Sequence, residues 1–287
     1  MFPKWVDAHG HLSSTRYSDS ERDAAIQRAL ESGCEYFLQG GIHPSDWAAQ
    51  RQLALRYPGR IGVAVGLHPE WVSGASASDL AAGLAAFEAE VHFSGDIACF
   101  GELGLHFLGE HGEGDRRQQQ EKVFQDCLER IRDSGRSEPI VLHGVRADSR
   151  MLEIWDSVFR EPRAGLVHSF GGSFETAQAW IHRGLLISPS PGVARSGYST
   201  LKQALVKIPV ESLVIESDCP DQSPGRSSGA SPLGEPRDVW MVASAVARVR
   251  SEDEKEGGLR LLEASWKNLA RIGIRLPDDG SEGGESR

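Results

Sequence analysis

"KWVDAHGHL", residues 4–12, is a strand-length apolar run that closes on two histidines one residue apart. Its apolar residues are nearly continuous, which suits a parallel strand buried on both faces. Seven more runs share this form. They are "EYFLQGGI" (35–42), "IGVAVGLHP" (61–69), "IACFGELGL" (97–105), "PIVLHGV" (139–145), "GLVHSFGG" (165–172), "GLLISPSPG" (184–192) and "SLVIESDCP" (212–220). Each is rich in Val, Ile, Leu or Phe and ends in Gly, Pro, Ser or another polar residue.

Helical patterns fill the gaps between these runs. In "SDSERDAAIQRALESG" the spacing of Ser18 and Glu21 predicts a capping box, and Gly33 a stop. In "QQQEKVFQDCLERIRDSG" Val123, Phe124, Cys127, Leu128 and Ile131 share a face, and Gly135 ends it. Eight strand–helix steps over roughly 250 residues are the arithmetic of an α/β chain folded as a (β/α)8 TIM barrel. An open doubly wound sheet is the rival, but no Gly-rich phosphate turn follows an early strand. Residues 1–275 are expected to form one barrel domain and residues 276–287 a disordered tail. Residues 221–236, rich in Ser, Gly and Pro, read as a mobile excursion.

Composition narrows the function. The chain has 287 residues, a formal net charge of −10, 39% hydrophobic and 25% charged residues, an ordinary globular balance. A surface that grips nucleic acid is usually basic, so any phosphodiester would have to be drawn by a local site such as bound metal. Cys34, Cys99, Cys127 and Cys219 form no CxxC pair and are expected to be free thiols in a reducing compartment. No basic leader precedes an apolar stretch, and none approaches the roughly 20 residues of a membrane span. The expected location is the cytoplasm.

Chemistry gathers at the ends of the runs. Residues i and i+2 of a strand share a face, so His9 and His11 present two imidazoles together. Alone, they are either a pair of hydrogen-bonded strand histidines or two ligands of a divalent transition metal. The other runs end in His68, Glu102, His143, His168 and Asp218, the last preceded by Glu216. The C-terminal edge of barrel strands is where sites are built. A set of His, His, Glu, His, His and Asp offers donors for two metals with one carboxylate between them.

"VDAHGHL", "VGLHPE", "GELGL", "VLHGVRA", "VHSFGGSFETA" and "LVIESDCP", in this order from about Trp5 to about Ile274, resemble the successive signatures of the TatD family. Those proteins are metal-dependent, deoxyribonuclease-like hydrolases of the amidohydrolase-like barrel superfamily. The resemblance implies a distorted TIM barrel in which His9, His11 and Asp218 hold one metal, His143 and His168 a second, and Glu102 bridges. It also implies DNA or another phosphodiester as substrate and two divalent ions, Mg, Mn or Zn. The chain departs from the pattern at His106, where the family usually has Asp, at Gly234, where Asn is usual, and at Cys219, where Ala is common. His106 bears on the layer around the ligands, and through it on substrate choice or the setting of a neighbouring arginine.

Two metals would make a side-chain nucleophile unnecessary, in keeping with the absence of a Ser or Cys motif. Asp218 is expected as ligand and general base. His68 reads as a substrate or proton-transfer residue, or as a plain hydrogen-bond partner. Glu216 reads as an outer ligand or as the group that orients a histidine. Arg146 is the first candidate for a phosphate clamp, ahead of Arg195 and Arg226. Trp71 is expected to line the wall or stack on a base. His43 is expected in a turn hydrogen bond, and His111 as structural or exposed. The alternatives are an amidohydrolase or lactonase acting on a small molecule, and a nuclease subunit active only within a protein assembly; fold alone does not separate them.

Overall fold

Two of the eight runs depart from plain strands in this computed structural model, which describes residues 4–93, 95, 97–224 and 233–277. The strands are β1 (Trp5–Gly10), β2 (Cys34–Gln39), β3 (Ile61–Gly62), β4 (Ala64–Val65), β5 (Cys99–His106), β6 (Ile140–Val145), β7 (Gly165–Phe170) and β8 (Leu185–Pro189). The helices are α1 (Asp19–Glu31), α2 (Pro44–Arg56), α3 (Pro69–Gly74), α4 (Ala77–His92), α5 (Gly114–Ser134), α6 (Asp148–Val158), α7 (Phe174–His182), α8 (Ser199–Lys207), α9 (Val239–Val249) and α10 (Glu254–Arg271). All strand pairs are parallel, in the orders β1-β2-β3 and β4-β5-β6-β7-β8. Residues 278–287 of the expected tail, and Arg226 in the Ser/Gly/Pro segment, lie outside the described residues.

The run at 61–69 supplies both β3 and β4. β3 pairs with β2 and β4 with β5, so this one run joins the two sets of strands. The run at 212–220 lies between β8 and β1. Val214 N–H donates to Ile187 O and Ala8 N–H to Ile215 O, both at 3.1 Å, and Asp218 N–H donates to His9 O at 3.0 Å. Its own ladder is interrupted because side chains take two of its donors. Ile215 N–H goes to Ser265 Oγ at 2.9 Å and Ser217 N–H to Asp7 Oδ1 at 2.9 Å. A buried N–H must find some acceptor, and here the acceptors are not backbone. Replacing Ser265 with Ala is therefore expected to lower the unfolding free energy by about 1–3 kcal/mol, because Ile215 N–H is left buried and unmatched; urea denaturation reads it.

Each of the eight runs contributes a buried side chain to an inner cluster. It comprises Val6, Ala8, Tyr36, Leu38, Ala64, Cys99, Val141, Leu166, Leu186 and Val214, closed by Leu269 and Ile274 at the end of α10. The opposite strand faces pack on the helices through Phe37, Phe100, Leu103, Leu142 and Val167. The Ser18–Glu21 capping box of α1 is formed, and α5 ends on Gly135 at φ 70°, a left-handed conformation that glycine adopts without a Cβ clash. The helices α2 and α3 were not among the expected patterns. In α2 only Trp47, Gln50 and Leu53 are buried, a stripe too thin for periodicity to reveal, although Pro44 at its first turn is a start signal. No helix among the described residues is long and apolar enough to cross a membrane.

Candidate metal centre

β1 and the residue that follows it, the interiors of β5, β6 and β7, and the 212–220 run bring His9, His11, Glu102, His143, His168 and Asp218 together around Glu102; the expected strand end at Glu102 lies four residues further on, at His106. Its two oxygens face different partners. Oε1 lies 3.5 Å from His9 Nε2 and 3.2 Å from His11 Nε2. Oε2 lies 2.6 Å from His168 Nε2, 3.2 Å from His143 Nδ1 and 3.6 Å from His68 Nε2. Asp218 Oδ1 closes the first group, 4.0 Å from His9 Nε2 and 3.6 Å from His11 Nε2. His9, Glu102 and Glu216 are fully buried, and His11, His168 and Asp218 nearly so.

Irregular backbone aims these side chains. Val6 and Ala8 point into the inner cluster, so strict alternation would turn His9 away from it. The register of β1 on β2 shifts between Asp7 and Gly10. That shift moves His9 and His11 to the inner side, where their rings sit edge to face at 5.0 Å. The register of β5 on β6 shifts between Phe100 and Leu103, around Glu102. Extra residues of this kind re-aim side chains next to active sites. Strain collects nearby, with φ values of 54° at Arg146, 46° at Ser169 and 49° at Asp218. Such non-glycine conformations cost about 1–3 kcal/mol each and persist where surroundings enforce them.

The electrostatics follow from burial and crowding. Burial opposes charge on Glu102, but His168, His68, His9 and His11 outweigh it and hold the carboxyl well below its usual range. Burial likewise opposes charge on His168 and His11, yet Glu102, assisted by Asp218, raises both. Burial and His143 push His68 well below the usual imidazole range. Burial, His143 and His111 take His106 down to about 4.

These side chains fit a divalent cation. His9 Nε2 and Glu102 Oε1 are buried without a hydrogen-bond partner, and such an atom costs about 1–3 kcal/mol if nothing matches it. Three donor sets have their ligand atoms within 4.8 Å of one another around the core: His9, His11 and Asp218; His9, Glu102 and His168; and His68, Glu102 and His143. Imidazole and carboxylate together suit zinc, manganese and their neighbours.

The remaining expected residues are also located. Glu216 Oε1 accepts Ser169 N–H at 2.7 Å and lies 3.7 Å from His168 Nδ1, behind the cluster. The rings of His106 and His143 meet edge to edge, with His106 Nδ1 3.1 Å from His143 Nε2, a hydrogen bond between imidazoles. His68 Nδ1 accepts Glu70 N–H at 3.2 Å, which places the ring's proton on Nε2, the nitrogen that faces Glu102. Arg146 is exposed and makes no ion pair among the described residues. His43 begins α2 without a side-chain cap, and its ring lies 6.0 Å from that of Trp71.

Several contributors were not anticipated. Gln222 donates from Nε2 to Asp218 Oδ2 at 2.7 Å and to Ser169 Oγ at 2.5 Å. It orients the carboxylate, so Gln222→Ala is expected to weaken metal affinity about 10–100-fold, the usual cost of losing a group that holds a ligand; calorimetric titration with Mn²⁺ reads it. A Cβ on Gly234 would stand 1.9 Å from Gln222 O, which accounts for glycine where the TatD pattern carries Asn. Asp7 accepts Ser217 N–H at 2.9 Å and Ser217 Oγ–H at 2.5 Å, tying β1 to the 212–220 run. His111, expected as structural or exposed, accepts or donates at Ser73 Oγ and packs on His106 at 5.2 Å. The "VDAHGHL" and "DCPDQ" stretches carried Asp7 and Gln222 openly, but only the fold shows what they touch.

Comparisons with known proteins bear on the family and the fold. Residues 6–272 match the family described as TatD related DNase. The uncharacterized metal-dependent hydrolase YjjV of Escherichia coli is 25% identical over 270 residues, covering 93% of this chain and 98% of the relative. The 3'-5' ssDNA/RNA exonuclease TatD of Salmonella typhimurium is 32% identical over 252 residues, covering 85% and 90%. Human deoxyribonuclease TATDN3 is 25% identical over 280 residues, covering 94% and 95%. The crystal structure of YjjV superposes with a TM-score of 0.76 at 23% identity, covering 92% of this chain and 97% of that one. A TatD family hydrolase from Entamoeba histolytica also gives 0.76, at 16% identity, covering 93% and 98%. The fold is therefore the TIM barrel of those structures, and the chain belongs to the TatD related DNase family.

Proposed function

We propose that this protein is a metal-dependent hydrolase of DNA phosphodiester bonds that uses two divalent ions, Mg, Mn or Zn. The observation that carries the reading is the divided carboxylate of Glu102. One oxygen faces His9 and His11, with Asp218 beside them, and the other faces His143 and His168. His9, His11 and Asp218 would hold one ion, His143 and His168 the other, and Glu102 both. When bound, such a pair lowers the pKa of water and stabilises charge on the phosphoryl oxygens.

The chain's own residues supply the rest. Asp218 has Oδ2 fixed by Gln222 and Oδ1 directed at the cluster, so Oδ1 takes the proton of the attacking water. His68 carries its proton on Nε2 and donates it to a phosphate oxygen or to the departing one. Arg146, unpaired among the described residues and three positions after His143, clamps a neighbouring phosphate. Trp71 and His43 offer ring faces to a base. Glu216 and His106 steady His168 and His143. With a net charge of −10, the attraction for DNA is local to the cations and Arg146. The four buried free cysteines suit a reducing cytoplasm.

The test is hydrolysis of single-stranded DNA by purified protein with added Mg²⁺ or Mn²⁺. Turnover is expected with either ion, to vanish with a chelator and to return on adding metal back. Turnover that survives exhaustive chelation contradicts the reading. Ester or amide hydrolysis without nuclease activity would favour a small-molecule amidohydrolase or lactonase. Activity that appears only with a co-purifying protein would favour a subunit of an assembly.

A further inference from the structure

We propose that the segment from Arg195 to Lys202, at the turn from β8 into α8, grips the substrate strand: Tyr198 stacks on a base, and Arg195 and Lys202 hold the phosphates beside it. From the preceding reading it takes only the substrate, a DNA strand. Two large aromatic side chains are exposed among the described residues, Phe93 and Tyr198. Phe93 follows α4 and leads toward β5, so it lies at the end of the barrel where strands begin. Tyr198 follows β8 and lies at the other end, where the cluster is and where barrels bind their substrates. It is 40% exposed, which leaves ring surface for a partner.

A short chain of contacts joins Tyr198 to the cluster. Gln222 Nε2 donates to Asp218 Oδ2 at 2.7 Å, and Ser190 Oγ–H donates to Gln222 Oε1 at 3.0 Å. Ser190 Oγ in turn accepts Gly192 N–H at 3.3 Å. The Tyr198 ring lies over Gly192: a Cβ there would stand 2.6 Å from Tyr198 Cε2 and closer still to Cζ and Oη, so only glycine leaves the ring its place. The backbone of Tyr198 has φ 54°, next to Gly197 at 95°. A non-glycine residue seldom takes this conformation, and instances cluster at ligand clamps. The ring is held before a strand arrives, so little ordering is left for binding.

The charge of this part of the chain suits a polyanion. Residues 176–210 hold Arg183, Arg195, Lys202 and Lys207 and no Asp or Glu, in a chain whose net charge is −10. Arg183 is taken by Asp156, and Lys207 lies over the ring of Phe174. Arg195 and Lys202 form no ion pair among the described residues. Lys202 Nζ donates to Arg195 O at 2.7 Å, which draws the two cations together beside Tyr198. Phosphate oxygens are the counter-charge such a pair lacks. An aromatic ring for the base and cations for the backbone hold a single strand without reading its sequence. A paired, stacked base in a duplex would not offer its face to the ring.

The experiment is fluorescence anisotropy of a labelled oligothymidylate with phosphorothioate linkages, titrated with Mn²⁺-loaded protein, while cleavage of the unmodified strand is assayed in parallel. Tyr198→Leu is expected to weaken binding about 10-fold and Tyr198→Phe by less than about 2-fold. A strand of the same length without bases should bind wild type and Tyr198→Leu alike, a result that a merely structural role of Tyr198 would not produce. Arg195→Ala and Lys202→Ala should each reduce the slope of log Kd against log salt by about 0.7. Thermal melting verifies that each variant is folded. Wild-type affinity in Tyr198→Leu, an equal loss on the strand without bases, or unchanged slopes in both cation variants overturns the grip; the hydrolase reading stands if unmodified DNA is still cleaved. Wild type that binds with this Tyr198 dependence but never cleaves DNA keeps the grip and overturns the hydrolase reading. Wild type that binds no strand overturns the grip.

Discussion

Changing Glu102 to Gln is expected to cut hydrolysis of single-stranded DNA on the order of 10³-fold, about 4 kcal/mol of transition-state stabilisation. Gln has nearly the shape of Glu, so the variant separates charge from volume. Glu102 is fully buried, and its two oxygens serve two groups of histidines. The amide keeps one carbonyl oxygen and replaces the other by an NH₂ group that cannot bind a cation. One of the two groups therefore loses its shared ligand, and metal content should fall with activity. Circular dichroism establishes that the variant is folded, and metal analysis shows whether the loss is electrostatic. A variant with full turnover and full metal content would remove Glu102 from the account.

Gly40→Ala is expected to lower turnover on the order of 10²-fold, through displacement of the ligands and not through their removal. A Cβ at this position would stand 2.5 Å from Glu102 Oε1, 2.5 Å from His11 Cε1 and 2.6 Å from His9 Cε1. Gly40 cannot retreat, because its N–H donates to Gly10 O at 2.9 Å and its carbonyl accepts from Gln50 Nε2 at 2.9 Å. The methyl group must push three buried side chains instead, which also costs about 1–3 kcal/mol of stability by overpacking. Mn²⁺ titration and steady-state kinetics on the same preparation distinguish displaced ligands from general loosening. Wild-type affinity for Mn²⁺ in this variant would show that the space beside Glu102 is larger than the structure indicates.

The sequence was most legible where chemistry and strand ends coincide. A histidine or carboxylate closing an apolar run has few structural reasons to be there, and six such ends meet in one place. It was less legible where backbone geometry decides. Alternation along β1 groups His9 with His11 correctly, but which side they face depends on the register shift between Asp7 and Gly10. The 212–220 run looks like an ordinary strand, yet Ser265 and Asp7 take two of its N–H groups. Those partners lie 50 and 210 positions away, beyond any local pattern. Gln222 and Gly40 act through distance and shape, and neither residue type announces such a role. The thin buried stripe of α2 hid a helix whose Gln50 supports Gly40 from behind.

The most direct measurement is a crystal structure of the protein soaked in Mn²⁺, with data collected at the manganese absorption edge. Two anomalous peaks are predicted on opposite sides of the Glu102 carboxylate, one within ligand distance of His9, His11 and Asp218 and the other of His143 and His168. A single peak, or manganese bound anywhere that leaves Glu102 free, would contradict the bridged pair.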